Sequence, residues 1–123
     1  MIQTARGVLA AIAWGCAALV CAQDFPAGAS MPSADELQQH VAGRVFDVKL
    51  ADGTDWRLQY TGNGYFYVDT SKGFKGTGTW RVEEGRLCGH LRGRDPSCNE
   101  VRLHDGVLHM RRDSGEMIRF VPR

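Results

Sequence analysis

The chain has 123 residues, with 15 Lys and Arg against 14 Asp and Glu and 43% hydrophobic residues, a length that suits one domain and excludes two independent cores. A net charge of +1 excludes a polybasic nucleic-acid binder, and 24% charged with 9% aromatic residues excludes wholesale disorder. The 15 Gly point to many turns and favour strands over helices.

Residues 1–22 have the layout of a secretory signal peptide. Arg6 is the only charge before Asp24, the stretch from Gly7 to Ala22 is apolar, and Val20-Cys21-Ala22 offers small residues for cleavage. The run is short for a membrane span of about 20 residues, although an uncleaved anchor is the alternative. Cleavage after Ala22 leaves a chain from Gln23 with no stable membrane span, in the periplasm or secreted. Arg6 leaves with the signal, so 15 − 1 = 14 basic residues face 14 acidic ones. Cys16 and Cys21 leave too, so Cys88 and Cys98 are the remaining pair, and in an oxidising compartment they are expected to form one disulfide. A structural zinc site needs four ligands, and the short Cys-x-x-Cys spacing is missing.

Residues 23–32 read as a linker, rich in Pro, Ala, Gly and Ser, and 33–123 as a single β domain with a short leading helix. Ser33 and Glu36 have capping-box spacing, Leu37 and Val41 share a face, and Gly43 is the stop. From Arg44 onward the apolar period is two, and turn pairs such as Asn63-Gly64 and Asp105-Gly106 punctuate it. Eight strands are expected near 44–50, 55–61, 65–70, 77–83, 86–92, 98–104, 107–112 and 116–121.

Turn lengths predict the register. A loop at Asp52-Gly53-Thr54 pairs Leu50 with Trp56, Val48 with Leu58 and Phe46 with Tyr60. A loop at Gly62-Asn63-Gly64 sets Phe66 against Tyr60, and a turn at Glu84-Gly85 sets Val82 against Leu87. Cys88 opposite Cys98, Leu103 opposite Leu108 and Met110 opposite Ile118 follow in the same way. Each pairing keeps the large apolar residues on one face, as a correct register must. The fold class expected is mainly β, an antiparallel up-and-down meander of about eight strands, a small barrel or curled sheet, with one short N-terminal helix.

No residue set fits a catalytic motif. The histidines are expected at the surface with no two as direct neighbours, which argues against a metal site. The glycines from Gly73 to Gly78 precede a strand instead of a helix, so a phosphate loop is not expected, and Gly78 reads as a close-packing position. No cofactor is called for. Arg57, Gln59, Tyr65 and Tyr67 alternate with apolar residues and should point away from the core. With Phe74 in the longest interstrand loop they form the expected contact surface.

The stretch Gly76-Thr77-Gly78-Thr79-Trp80, then Gly85-Arg86-Leu87-Cys88 and on to Cys98, resembles a pattern found in small exported proteobacterial β-proteins of unknown function. That pattern has Gly-x-Trp, a Gly-x-Leu-Cys strand, a second Cys and a closing strand with an aromatic, here Phe120. The resemblance covers the C-terminal half of the mature chain and implies a periplasmic β-protein without catalytic residues. Small periplasmic lysozyme inhibitors differ, because their early Tyr-x-Cys strand has no counterpart near Tyr60 or Tyr65. The functional expectation is an exported, non-catalytic binding protein for a protein or small-molecule ligand. The alternatives are an inhibitor or immunity protein against a secreted or cell-wall-lytic enzyme, and a hydrolase with an unrecognised site.

Overall fold

In the computed structural model, which describes residues 24–123, Ser33 caps a short helix α1 (Ala34–Val41). The Ser33 hydroxyl accepts from the Glu36 N–H at 3.1 Å, and the Glu36 carboxylate accepts from the Ser33 N–H at 2.9 Å. This reciprocal box satisfies two of the donors that a helix start leaves open. The signal segment and its cleavage site lie outside the described residues. Among those residues, no helix is long and apolar enough to cross a membrane.

Eight strands follow: β1 (Arg44–Lys49), β2 (Asp55–Tyr60), β3 (Tyr65–Thr70), β4 (Lys75–Glu83), β5 (Arg86–Leu91), β6 (Ser97–His104), β7 (Val107–Arg111) and β8 (Met117–Pro122). Each pairs antiparallel with the next, and β8 returns to β1 through Phe46 opposite Pro122 and Asp47 opposite Val121, so the sheet is a closed barrel. At the seam the Arg123 N–H donates to the Val45 carbonyl, and the Arg123 Nε reaches both Asp47 carboxylate oxygens at 3.0 and 2.9 Å. Closure leaves neither β1 nor β8 as an outer edge strand of the sheet.

Most of the register agrees with the sequence. Tyr60 faces Phe66, Val82 faces Leu87, Cys88 faces Cys98, Leu103 faces Leu108 and Met110 faces Ile118. The turn at Asp105-Gly106 has positive φ at both residues, 52° and 78°, as a two-residue turn matched to strand twist requires. Cys88 and Cys98 form the expected disulfide across β5 and β6.

One hairpin corrects the sequence reading. Val48 faces Trp56, Phe46 faces Leu58 and Arg44 faces Tyr60, two residues away from the expected pairing. The loop is Ala51-Asp52-Gly53, closed by the Leu50 N–H donating to the Thr54 carbonyl. A three-residue hairpin loop ends on a left-handed residue, and Gly53, with φ 89°, takes that place. The slip is even, so inward and outward faces are unchanged.

Inside the barrel, Phe46, Tyr60, Phe66, Trp80 and Phe120 build an aromatic cluster near one end. Leu37 and Val41 of α1 are fully buried against this core, and His40 stacks on Phe46 at 6.1 Å. The Gly43 N–H donates to the Tyr60 carbonyl, which ties the helix exit to the end of β2. Helix α1 therefore corks the end of the barrel at which β1 begins. Residues 24–32 run against the outer wall. Ser30 exchanges backbone hydrogen bonds with Leu103, and the Phe25 ring lies between Arg102 and Arg111, 5.1 and 4.8 Å from their guanidinium carbons.

Candidate functional site: a barrel interior open at one end

An up-and-down barrel places every second loop at the same end. The connections β1–β2, β3–β4, β5–β6 and β7–β8 lie opposite α1, and the interior opens between them. The resulting cavity has a volume of about 600 Å³. That lies within the range of small-ligand sites, roughly 300–1,000 Å³.

The inward positions differ between the two ends. Near α1 they carry Phe46, Tyr60, Phe66, Trp80 and Phe120, which fill the barrel. Toward the opposite end β4 contributes Gly76 and Gly78, and β5 contributes Gly89. Of these Gly89 lines the cavity, while the space over Gly76 is taken by the Leu91 and Phe74 side chains, 3.1 Å from where a Cβ would lie. Gly78 is also obligatory, because a Cβ at that position would stand 2.1 Å from the His90 carbonyl oxygen. This is the close packing expected at Gly78. The Phe66 ring edge covers Gly89, 3.3 Å from where a Cβ would lie.

The cavity wall is apolar at depth and charged at the mouth. Leu58, Tyr60, Phe66, Leu87 and Phe120 line the depth, with the half-buried Trp56, Val68, Leu91 and Met110 nearer the opening. Tyr60 stacks on Phe66 at 5.5 Å and meets Trp80 edge-on at 5.4 Å. Burial pushes the Tyr60 phenol well above its ordinary value, so it is neutral at any physiological pH. The Trp80 indole N–H is satisfied by the Thr61 carbonyl at 3.0 Å.

At the mouth stand Asp52, Lys72, Phe74, Arg94 and Arg112. Lys72 bonds the Asp52 carboxylate at 3.4 Å. The Asp52 carboxyl is held down at about 2, first by Thr54, whose backbone N–H donates to it at 2.9 Å, and then by Lys72. Arg112 pairs with Glu116 at 2.5 Å and lies over the Trp56 ring. Arg94 lies over the Phe74 ring, 5.0 Å from its centroid.

The expected contact residues divide between two places. Arg57, Gln59, Tyr65 and Tyr67 are exposed on the outer wall of β2 and β3, where Gln59 and Tyr67 are direct cross-strand neighbours. Tyr65 and Tyr67 are 51% and 45% exposed. Phe74 is not with them: it stands at the mouth under Arg94. Sequence reasoning missed Trp56, Lys72, Arg94 and Arg112 as mouth residues. The signal was present, since Lys72, Arg94 and Arg112 occupy three loops that an up-and-down order puts at one end.

The histidines also differ from expectation. His104 and His109 meet edge-on with ring centroids 6.1 Å apart, and His109 is only 8% exposed. His104 pairs with Val107 across the turn, so His109 is its diagonal neighbour on the same face, within reach of a long side chain. Burial lowers the His109 proton affinity, helped by Arg119 and His104. Glu83, Cys88 and Cys98 form the one cluster of metal-ligating residue types among the described residues. Its two sulfurs are bonded to each other and offer no thiolate.

No family model, curated protein or solved structure matches this chain.

Proposed function

We propose that the protein is an exported, non-catalytic binding protein that takes a small apolar molecule into its barrel. The observation that carries this reading is the cup itself: a closed wall, a helical cork at one end and an apolar interior of about 600 Å³ open at the other. Enclosing an apolar ligand there removes its surface from water, worth about 25 cal/mol per Å². Export is supported by the apolar N-terminal segment and by the Cys88–Cys98 disulfide, a bond that persists in oxidising compartments. Mass spectrometry of the exported protein should find Gln23 at its N-terminus.

The test uses the neutral dye N-phenyl-1-naphthylamine, whose fluorescence rises in apolar surroundings. Saturable binding of one dye per protein is expected. Met110→Trp and Val68→Phe put bulk into the cavity, and each should weaken the dye while leaving the far-ultraviolet circular dichroism of the fold intact. Absence of dye binding, or equal binding by both folded variants, overturns the reading.

A second reading rests on the outer wall. Tyr65 and Tyr67 are large, exposed and flanked by Arg57 and Gln59, a composition common among protein-contact residues. That surface suits an inhibitor or immunity protein acting on a secreted enzyme. Loss of such a complex on Tyr67→Ala, with dye binding retained, would favour it.

A further inference from the structure

We infer that the ligand of the barrel is a single-chain amphiphile with an anionic head group, held with its tail in the cup and its head at Arg94. This rests on the proposed cavity function and adds the chemistry of the ligand's polar end.

The mouth carries unequal numbers of cations and anions. Three cations and one anion line it: Lys72, Arg94 and Arg112 against Asp52. Lys72 is taken up by Asp52, and Arg112 by Glu116 from the same loop. Asp52 stays ionised down to about pH 2, so its pairing with Lys72 holds throughout the physiological range. Among the described residues no carboxylate comes within ion-pairing distance of Arg94, whose neighbour is the face of Phe74. One positive charge is therefore left over, and it stands at the rim of an apolar cavity.

The position suits that charge to a ligand head. The low-dielectric wall beneath the mouth strengthens an ion pair formed there relative to one in open water. The guanidinium offers a planar fork of donors that matches carboxylate or phosphate oxygens. The Phe74 ring holds it from the apolar side, and such stacking leaves the N–H edge available. A neutral ligand would leave this charge unanswered, and a cationic one would face Lys72, Arg94 and Arg112 together. The single excess charge fits one anionic head.

Depth fixes the tail. From Thr54 at the mouth to Tyr60 at the floor, β2 advances six residues, about 20 Å along the strand at 3.3 Å each. Strand tilt of roughly 40° in a small barrel shortens this to about 15 Å along the axis. A medium-length alkyl chain has that reach.

The test is competition against N-phenyl-1-naphthylamine bound to the full mature chain, with dodecanoate, dodecyl phosphate and dodecan-1-ol as displacers at pH 8. Both anions should displace the dye at concentrations about tenfold or more below the alcohol, the size of a charge-assisted hydrogen bond. The order of the two anions distinguishes a carboxylate from a phosphate ligand. Arg94→Gln should shrink the anion-over-alcohol ratio by about the same factor. Arg92→Gln removes one charge from the same loop without lining the cavity, and it should leave the ratio as it was. Dye binding with equal displacement by alcohol and anions overturns the anionic head while the cavity reading stands. An unchanged ratio in Arg94→Gln does the same. A protein that binds no dye overturns the cavity reading itself.

Discussion

The Arg112 guanidinium lies 5.0 Å from the centroid of the Trp56 ring while its Nη1 bonds Glu116. Glu116 in turn accepts from the Ala51 N–H at 2.8 Å, so the β7–β8 loop is tied to the β1–β2 loop across the mouth. Trp56 is thus a fixed, half-buried indole on the cavity wall.

This makes Trp56 an intrinsic reporter. Among the described residues the tryptophans are Trp56 and Trp80, and Trp80 is buried with its N–H bonded to Thr61. Dodecanoate should shift or quench tryptophan emission. Trp56→Phe should abolish that change, and Trp80→Phe, if folded, should retain it. A response that survives Trp56→Phe would place the ligand elsewhere.

Cork and outer wall should differ in their effect on stability. Leu37 is fully buried beneath α1, so Leu37→Ala removes burial and leaves a cavity, at a cost of about 2–5 kcal/mol. Tyr67 stands on the outer wall, and Tyr67→Ala should change stability by less than about 1 kcal/mol. Urea unfolding followed by circular dichroism measures both.

The disulfide spans a sequence separation of 10 residues. In the chain-entropy treatment such a loop stabilises by about 3 kcal/mol. Cys88→Ser with Cys98→Ser should lose that amount and keep the barrel, since the β5–β6 ladder has other rungs. Denaturing alkylation of the native protein should find both sulfurs blocked.

Stability should fall in acid in two stages. His40 and His109 have proton affinities lowered from the ordinary 6.5, His40 by burial and then Arg44, His109 by burial, Arg119 and His104. The unfolded chain takes up these protons first, so the contribution is complete above pH 6.5 and is lost as pH falls below it. Asp52, held at about 2 against an ordinary 3.8, adds stability above pH 3.8 that is lost as pH falls toward 2. Thermal midpoints measured from pH 8 to pH 2 should decline through both windows; Asp52→Asn should shrink the lower one, and Glu83, whose carboxyl Arg81 also holds below its ordinary value, keeps the remainder.

The sheet was legible because parity and turn chemistry constrain each other. Asp105-Gly106 and Glu84-Gly85 each admit one two-residue turn, and the strands on either side then have a single register. The β1–β2 hairpin was not decided that way. Loops at 51–53 and 52–54 both keep Phe46, Val48, Leu58 and Tyr60 inward, and only the left-handed Gly53 at the last loop position selects the first. The cavity was hidden for a related reason. Alternation marks inward positions without stating whether the side chains there meet across the barrel. Trp56, Val68, Leu91 and Met110 had to be seen around Gly89, half-buried and facing one another, before the hollow was apparent. The outward Tyr65 and Tyr67 were placed correctly, whereas Phe74 belonged to the mouth because its loop rises at the open end.

The seam between β1 and β8 joins residues as far apart in sequence as Asp47 and Arg123, a separation of 76. Such pairing comes late, since its loop-closure entropy precedes any reward, and sheets of this topology fold in milliseconds to seconds. Until β8 arrives, β1 presents Arg44, Asp47 and Lys49 beside an open row of backbone donors and acceptors. Charged side chains on a waiting edge discourage pairing with another chain. Asp47 thus has two successive duties: it guards the edge while the chain is incomplete, and it then clasps Arg123 once the ring is shut.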